Sequence, residues 1–327
     1  MNDIRDANTK MRGLPPEQRA EILQELVAKK TEVLKKLRVA VINAIPHEYA
    51  ATNIVFGEPE VIPVIGKREA MIEYVTLQDR AGNDLYVALA GTSGQGIAQA
   101  AAATALIAHK CPWLETVILI GIAAGQPNLS DKEKDVRLGD IVVGDKMIQY
   151  DHIKRTDGKT ELRGDNLQPG DSGMLATVRR LVASQFRTDS NAPRKAWEDF
   201  ISLNVSKLAN AERPSPPQDP NSVKRNYSKG HNFQRSDDLP FVHVGTIGSA
   251  NILLKDAAFR NELNQNHKII AYEMEGAGVA IAAASMRMGY LNVRGICDYG
   301  DSSKDDNWQT YASLCAASFA RAIIEGA

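Results

Sequence analysis

The sequence predicts an α/β fold, and three observations carry that prediction. Short apolar runs of strand character recur along the 327 residues, at 38–42, 117–120, 241–244 and 290–297. Between them lie strong helix formers, most clearly 97–109 and the alanine-rich 279–288. Apolar residues make up 43% of the chain, enough for one large core.

Residues 1–13 are polar and are expected to be disordered. A helix should open at Leu14-Pro15-Pro16, since proline suits a first turn. From 17 to 37 apolar residues fall at helical spacing: Ile22, Leu23, Leu26, Val27, Leu34 and Leu37. This helix is expected to pack on the side of the domain; an oligomer or partner contact is the alternative. Residues 38–42 form the first strand, and 43–48 a turn. Residues 54–90 read as strand material, with alternation at 71–77 and 85–90 around a Gly82-Asn83 turn. The glycine-rich stretch 91–96 opens the helix at 97. It matches neither a phosphate-binding Gly-Lys-Ser/Thr loop nor a Gly-x-Ser-x-Gly elbow, and on spacing alone is a tight turn. A helix is expected around 174–185. The chain then turns polar across about 186–240, with a proline-rich surface linker at 213–220.

Formal net charge is −1, so there is no global electrostatic case for nucleic acid or a membrane surface. Cys111, Cys297 and Cys315 lack metal-ligand or redox spacing, as expected of reduced thiols in a cytoplasmic protein. The N-terminus shows no apolar signal core, and the apolar runs are shorter than a membrane span.

Two acidic stretches near the C-terminus organise the rest. In 271–278, Glu273 and Glu275 stand at the mouth of the alanine-rich helix, where the helix dipole favours negative charge. In 294–301, the apolar run ends in Asp298. Ligands of open α/β sheets collect beyond the carboxyl ends of strands, so Glu275 and Asp298 are expected to face one pocket. Taken singly, each is explained by a helix cap or a turn.

Together, Glu273-Met274-Glu275 and Cys297-Asp298 resemble motifs of the nucleoside phosphorylase and nucleosidase superfamily, in its methylthioadenosine/S-adenosylhomocysteine nucleosidase branch. The run 297–304, followed by 308–312, is similar to nucleosidase-like domains of bacterial and fungal conflict systems. The resemblance spans most of 38–326 and is weakest at 151–240. It implies a three-layer fold: a central mixed sheet flanked by helices, preceded by the 1–37 tail and helix and interrupted by the polar insertion. It also implies a homodimer or higher homo-oligomer, no metal and no cofactor, with Mg2+ only as a nucleotide counter-ion.

Residue by residue, the resemblance implies that Asp298 donates a proton to purine N7, directly or by relay. That role needs a raised pKa, which burial can supply. Glu275, with Glu273 and Met274, would hold the ribose. Glu48, at the end of the first turn, would activate water. Ser93 and Gly94 would border the sugar. Ala123, Ala124 and Gly125 would form the pocket floor, where the family usually reads Gly-Ser-Ala-Gly-Gly. Leu253 takes the place of a stacking phenylalanine, and Leu254 lines the base edge. Lys224, Arg225 and Arg235 are either solvated loop charges or a 5'-phosphate clamp.

The expected reaction is hydrolysis of a purine, specifically adenine, N-glycosidic bond, in a nucleoside or in a nucleotide such as ATP. A defence effector, as in antiviral systems, is the setting the resemblance implies. The turn 43–48 and the loop 91–96 lack the arginine that phosphorylases use to bind phosphate, which favours water as nucleophile. A metabolic nucleosidase, a phosphate-dependent phosphorylase and a non-catalytic nucleotide sensor remain the alternatives.

Overall fold

β-Branched density decides where the sheet forms. In the computed structural model, which describes residues 14–62, 71–163, 167–186, 196–215, 219–230, 233, 235 and 238–326, strands occupy Leu37–Asn43 (β1), Glu60–Ile62 (β2), Ile72–Gln78 (β3), Asp84–Gly91 (β4), Thr116–Gly125 (β5), Ile141–Gln149 (β6), Ile153–Thr156 (β7), Lys159–Leu162 (β8), Leu167–Pro169 (β9), Val242–Ser249 (β10), Ile269–Glu273 (β11) and Gly289–Asp298 (β12). The main sheet runs β11-β10-β6-β12-β5-β1-β4-β3-β2, with β9 paired to β6. It is mixed: β1 pairs in parallel with β4 and β5, whereas β12 is parallel to β5 and antiparallel to β6. β11 also pairs antiparallel with β5, through Ala271–Gly125 and Tyr272–Ala124, so the strand path closes on itself around β5, β12, β6, β10 and β11. The hairpin of β7 and β8 stands apart.

Helices flank this sheet at Pro16–Lys36 (α1), Pro46–Phe56 (α2), Ile97–Lys110 (α3), Ser172–Ala183 (α4), Ala196–Asn204 (α5), Ala257–His267 (α6), Gly276–Ser285 (α7) and Gln309–Gly326 (α8). β5 and β12 are buried along nearly their whole length, as strands covered on both faces are. α8 is buried almost all round and packs on β12 and β5, and against α2 and α5. α7 lies on α3 so closely that a Cβ on Gly278 would stand 2.0 Å from the carbonyl oxygen of Ile97. That contact fixes the start of α7 beside the 91–96 loop.

Several elements differ from expectation. Residues 46–56 are a helix, so 54–56 are not strand. Pro46 at its start and Glu48 in its first turn nucleate it. β5 and β10 run on through Gly125 and Ser249, beyond the apolar runs 117–120 and 241–244. Their glycines serve close approach: a Cβ on Gly121 would meet Arg294 and Glu48. α1 buries only Leu34 among its side chains, leaving Leu23 and Val27 exposed, and packs on β1 and β4. The 1–13 tail, residues 216–218 of the linker and 187–195 of the insertion lie outside the described residues.

Candidate active site

The last residues of β11 and β12, the turn after β1 and the end of β5 meet at a cavity of about 420 Å³. Glu48, Glu275 and Asp298 all line it, with Glu273 and Met274. Each acid is positioned by local backbone. Glu48 lies in the first turn of α2, where its Oε2 accepts from Ala44 N (2.8 Å) and Ile45 N (3.1 Å), and its Oε1 from Ile122 N (2.9 Å). Glu273 closes β11 and accepts from the amides of Glu275 and Gly276, capping α7. Glu275 reaches the other way, and its Oε1 accepts from Gly96 N at 3.0 Å. The glycine-rich loop is thereby tied to the α7 start.

One guanidinium sits among these acids. Arg294, fully buried in β12, pairs with Glu273 and stands 3.7 Å from Glu48 and 3.5 Å from Glu275. Its Nε donates to Asn292 Oδ1 at 2.8 Å. Burial opposes its charge, but the three carboxylates more than offset this and hold it protonated. One cation cannot neutralise three anions. Burial accordingly pushes the Glu48 carboxyl up against the pull of Arg294, and raises Glu275 to about 7. Glu275 therefore exchanges its proton near neutrality.

Asp298 is held differently. Its Oδ1 accepts from Gly300 N at 2.7 Å, and Lys304 Nζ donates to Oδ2 at 2.7 Å. A site governed by burial alone was expected; instead a lysine six residues on sits on the carboxylate. Burial disfavours the Lys304 charge, yet Asp298 holds the ammonium above its usual range. The Cys297 thiol, 3.4 Å from Asp298 Oδ2, is pushed well up by burial.

The remaining expectations divide. Ala123, Ala124, Leu253 and Leu254 line the cavity, Leu254 buried and Leu253 at the exposed rim. Gly125 does not: it is buried against Ile296, where a Cβ would clash. Ser93 and Gly94 lie in the loop before α3 but outside the lining, and Gln95 takes that edge. The phosphate clamp is corrected. Arg225 is bound to Asp135 (2.7 Å) and Asp219 (2.8 Å), and Arg235 is buried on Asp140, so both guanidinium groups serve internal ion pairs. Lys224 is exposed and also outside the lining.

Sequence reasoning passed over Arg294, Lys304, Tyr272 and Gln309 as site residues, whereas Tyr150, which the sequence places at the start of a pocket-edge loop at 150–152, lines the cavity. A signal existed for Arg294: a charge inside an apolar strand run needs a buried partner. Lys304 carried none, since its loop alone does not reveal its reach. Among the described residues no group of three His, Cys, Asp or Glu side chains is placed to hold a metal ion, and no helix is long and apolar enough to cross a membrane.

A family model described as the phosphorylase superfamily matches residues 38–325. The chain is 26% identical over 288 residues to a protein named ATP nucleosidase Cap17 from Escherichia coli, covering 88% of this chain and 50% of that one. It is 28% identical over 222 residues to a nucleotide-binding leucine-rich repeat (NLR)-like protein of Hyaloscypha variabilis, covering 63% of this chain and 21% of the other. The chain thus spans half or less of both relatives. A solved 5'-methylthioadenosine/S-adenosylhomocysteine nucleosidase of Helicobacter pylori shares the fold, with a TM-score of 0.58 at 16% identity, covering 88% of this chain and 98% of that one.

Proposed function

The chain belongs to the phosphorylase superfamily, and from that premise we propose that it hydrolyses the N-glycosidic bond of an adenine nucleotide, releasing the free base. The carrying observation is the meeting of Glu48, Glu275 and Asp298 at one cavity. Cleaving this bond needs a neutralised leaving base, a tolerated sugar cation and a delivered nucleophile. Asp298 faces the purine and passes it a proton, with the Lys304 ammonium next in line at 2.7 Å. Glu275, ionised, accepts from the ribose hydroxyls, and those bonds strengthen as the ring becomes cationic. Met274 packs beside the sugar. Glu48, anchored by three backbone amides, orients and deprotonates water. Arg294 holds the acids in register without entering the cavity lining.

Water is favoured over phosphate as nucleophile because, among the described residues, the basic side chains lining the cavity are Lys304 and His47, with no arginine to cradle an inorganic anion. A nucleotide substrate is supported by the Escherichia coli relative, an ATP nucleosidase by name. We also propose a homo-oligomeric cytoplasmic effector of antiviral defence, on the similarity of residues 297–312 to nucleosidase-like domains of conflict systems.

The test is a product assay. The purified protein is incubated with ATP, AMP, adenosine and methylthioadenosine, with and without inorganic phosphate, and adenine is followed. Adenine from ATP or AMP without phosphate, lost in D298N, is the expected result. Release that requires phosphate, or comes from methylthioadenosine alone, would overturn the reading.

A further inference from the structure

The loop between β12 and α8 brings one lysine back onto the strand it leaves. Asp298 Oδ1 accepts from Gly300 N at 2.7 Å, and Gly300, at φ +59°, would place a Cβ 3.2 Å from both Ala124 and Leu254 on the cavity wall. Arg260 on α6 donates to Tyr299 O and stands 3.5 Å from Asp301. The Asp301 carboxylate accepts from Ser303 N at 2.9 Å, and Lys304 N donates to Asp301 O at 3.2 Å. Held at these points, the loop turns Lys304 toward Asp298, and its Nζ donates to Oδ2 at 2.7 Å. Both side chains line the active-site cavity.

An ammonium carries three donors. Among the described residues Asp298 is the one acceptor that Lys304 Nζ meets, so two N–H groups remain for a ligand. Only 20% of the lysine side chain is exposed, so little water competes for them. Asp298 has the opposite character, since a carboxylate keeps acceptor lone pairs beyond the two already met. One part of the cavity wall thus offers an acceptor and a donor side by side.

The purine edge that carries N7 is where such a pair matters. At position 6 adenine presents an amino donor, whereas guanine, like hypoxanthine, presents an oxygen acceptor; N7 is an acceptor in all of them. A lone carboxylate at this edge accepts from the amino group and repels the oxygen. Asp298 with Lys304 suits both. We propose that the site also hydrolyses 6-oxopurine nucleotides, with Lys304 donating to O6. This rests on the nucleosidase reading and widens its substrate class. The step keeps the same balance. Water adds its hydroxyl to C1′ and gives its proton to Glu48. The C1′–N9 electron pair leaves with the base, and N7 takes the proton that Asp298 relays from Lys304. The amine left behind still carries two N–H groups, one of which serves O6.

ITP and IMP, matched against ATP and AMP, test this, because each pair differs in the 6-substituent and the N1 hydrogen that goes with it. Base release is followed for the wild type, K304M and K304R. In the wild type, kcat/KM for the inosine nucleotide should lie within about tenfold of that for its adenosine counterpart. K304M should lower both, and the inosine value by about a further tenfold, because the donor to O6 is lost. K304R keeps N–H donors and should return the ratio toward the wild type. A wild-type preference for adenine above about a hundredfold, or a ratio unchanged in K304M, would overturn the inference while adenine release upholds the nucleosidase. No base from any nucleotide would overturn the nucleosidase reading instead, and titration calorimetry with free hypoxanthine and free adenine then decides the specificity on its own. Saturable hypoxanthine binding, weakened about tenfold more than adenine binding in K304M, is expected; no such binding, or equal weakening of the two, refutes the role of Lys304.

Discussion

Glu275→Gln should make the protein more stable and less active at once. The Glu275 carboxyl titrates at about 7 against an ordinary 4.5, because burial and the neighbouring Glu273 and Glu48 outweigh Arg294 and the Gly96 amide. At ~1.36 kcal/mol per pH unit, ionising this buried group costs roughly 3 kcal/mol more in the folded than in the unfolded chain. The sign follows from proton counts. Between pH 4.5 and 7 the folded state holds a proton that the unfolded state has released, so wild-type stability falls as pH rises through that window and is flat above it. Glutamine cannot ionise, so the variant avoids the loss. Its amide oxygen keeps the Gly96 bond, but its NH2 then faces Arg294, which removes part of the gain; about 1–3 kcal/mol at pH 7.5 is expected. Urea unfolding of both proteins at pH 4.5, 6, 7 and 7.5, followed by circular dichroism, measures it. The difference should be near zero at pH 4.5 and grow to its full size by pH 7. Adenine release should fall by ~10²-fold, since a charged acceptor of the sugar hydroxyls is lost. The wild-type kcat/KM should rise with pH around 7, where Glu275 ionises. A variant no more stable than wild type at pH 7.5, or a difference that ignores pH, would refute the argument.

Arg294→Met should cost about 3–5 kcal/mol, the range for removing one partner of a buried ion pair, with the deficit shrinking as pH falls through 7 and Glu275, raised to about 7, takes up its proton. Urea midpoints at pH 4.5 and 7.5 check this, and an equal deficit at both would sink it. Lys304→Met should lower kcat tenfold or more with little change in melting temperature, and Lys304→Arg should restore part of it, because the lysine is half-buried and acts through Asp298. Equal kcat in all three proteins would remove Lys304 from the mechanism. Gly278→Ala should destabilise by about 1–3 kcal/mol, the usual range for overpacking, since the added Cβ would stand 2.0 Å from Ile97 O. A melting temperature equal to wild type would show that α3 and α7 are free to separate.

The strands were legible because β5 and β12 are buried on both faces, and such strands read as apolar runs. α2 was not, because Pro46 and Glu48 look alike as a turn and as a first helical turn; only Glu48 reaching back to the Ala44 and Ile45 amides decides between them. The acids of the site were legible through their motifs and their places at element ends. What they are bonded to was not. Arg225 and Arg235 read as a free basic cluster because Asp135 and Asp140, the buried carboxylates that hold them, lie 90 and 95 residues away along the chain.

Arg294 shows why that distinction matters for chemistry. An arginine in the middle of β12 is costly unless carboxylates meet it, and three do, from β11, the α7 start and α2. Their number is the functional point. With one acid, the guanidinium would form a neutral and inert pair. With three, it fixes their geometry yet leaves a surplus of negative charge, and burial together with that surplus holds Glu275 near pH 7, where it can exchange a proton. The same residue thus positions the acids and leaves them unsatisfied. A second buried cation at this point would bind them more tightly and lower their pKa values. The site would gain stability and lose the dependence on pH around 7 that Glu275 gives it.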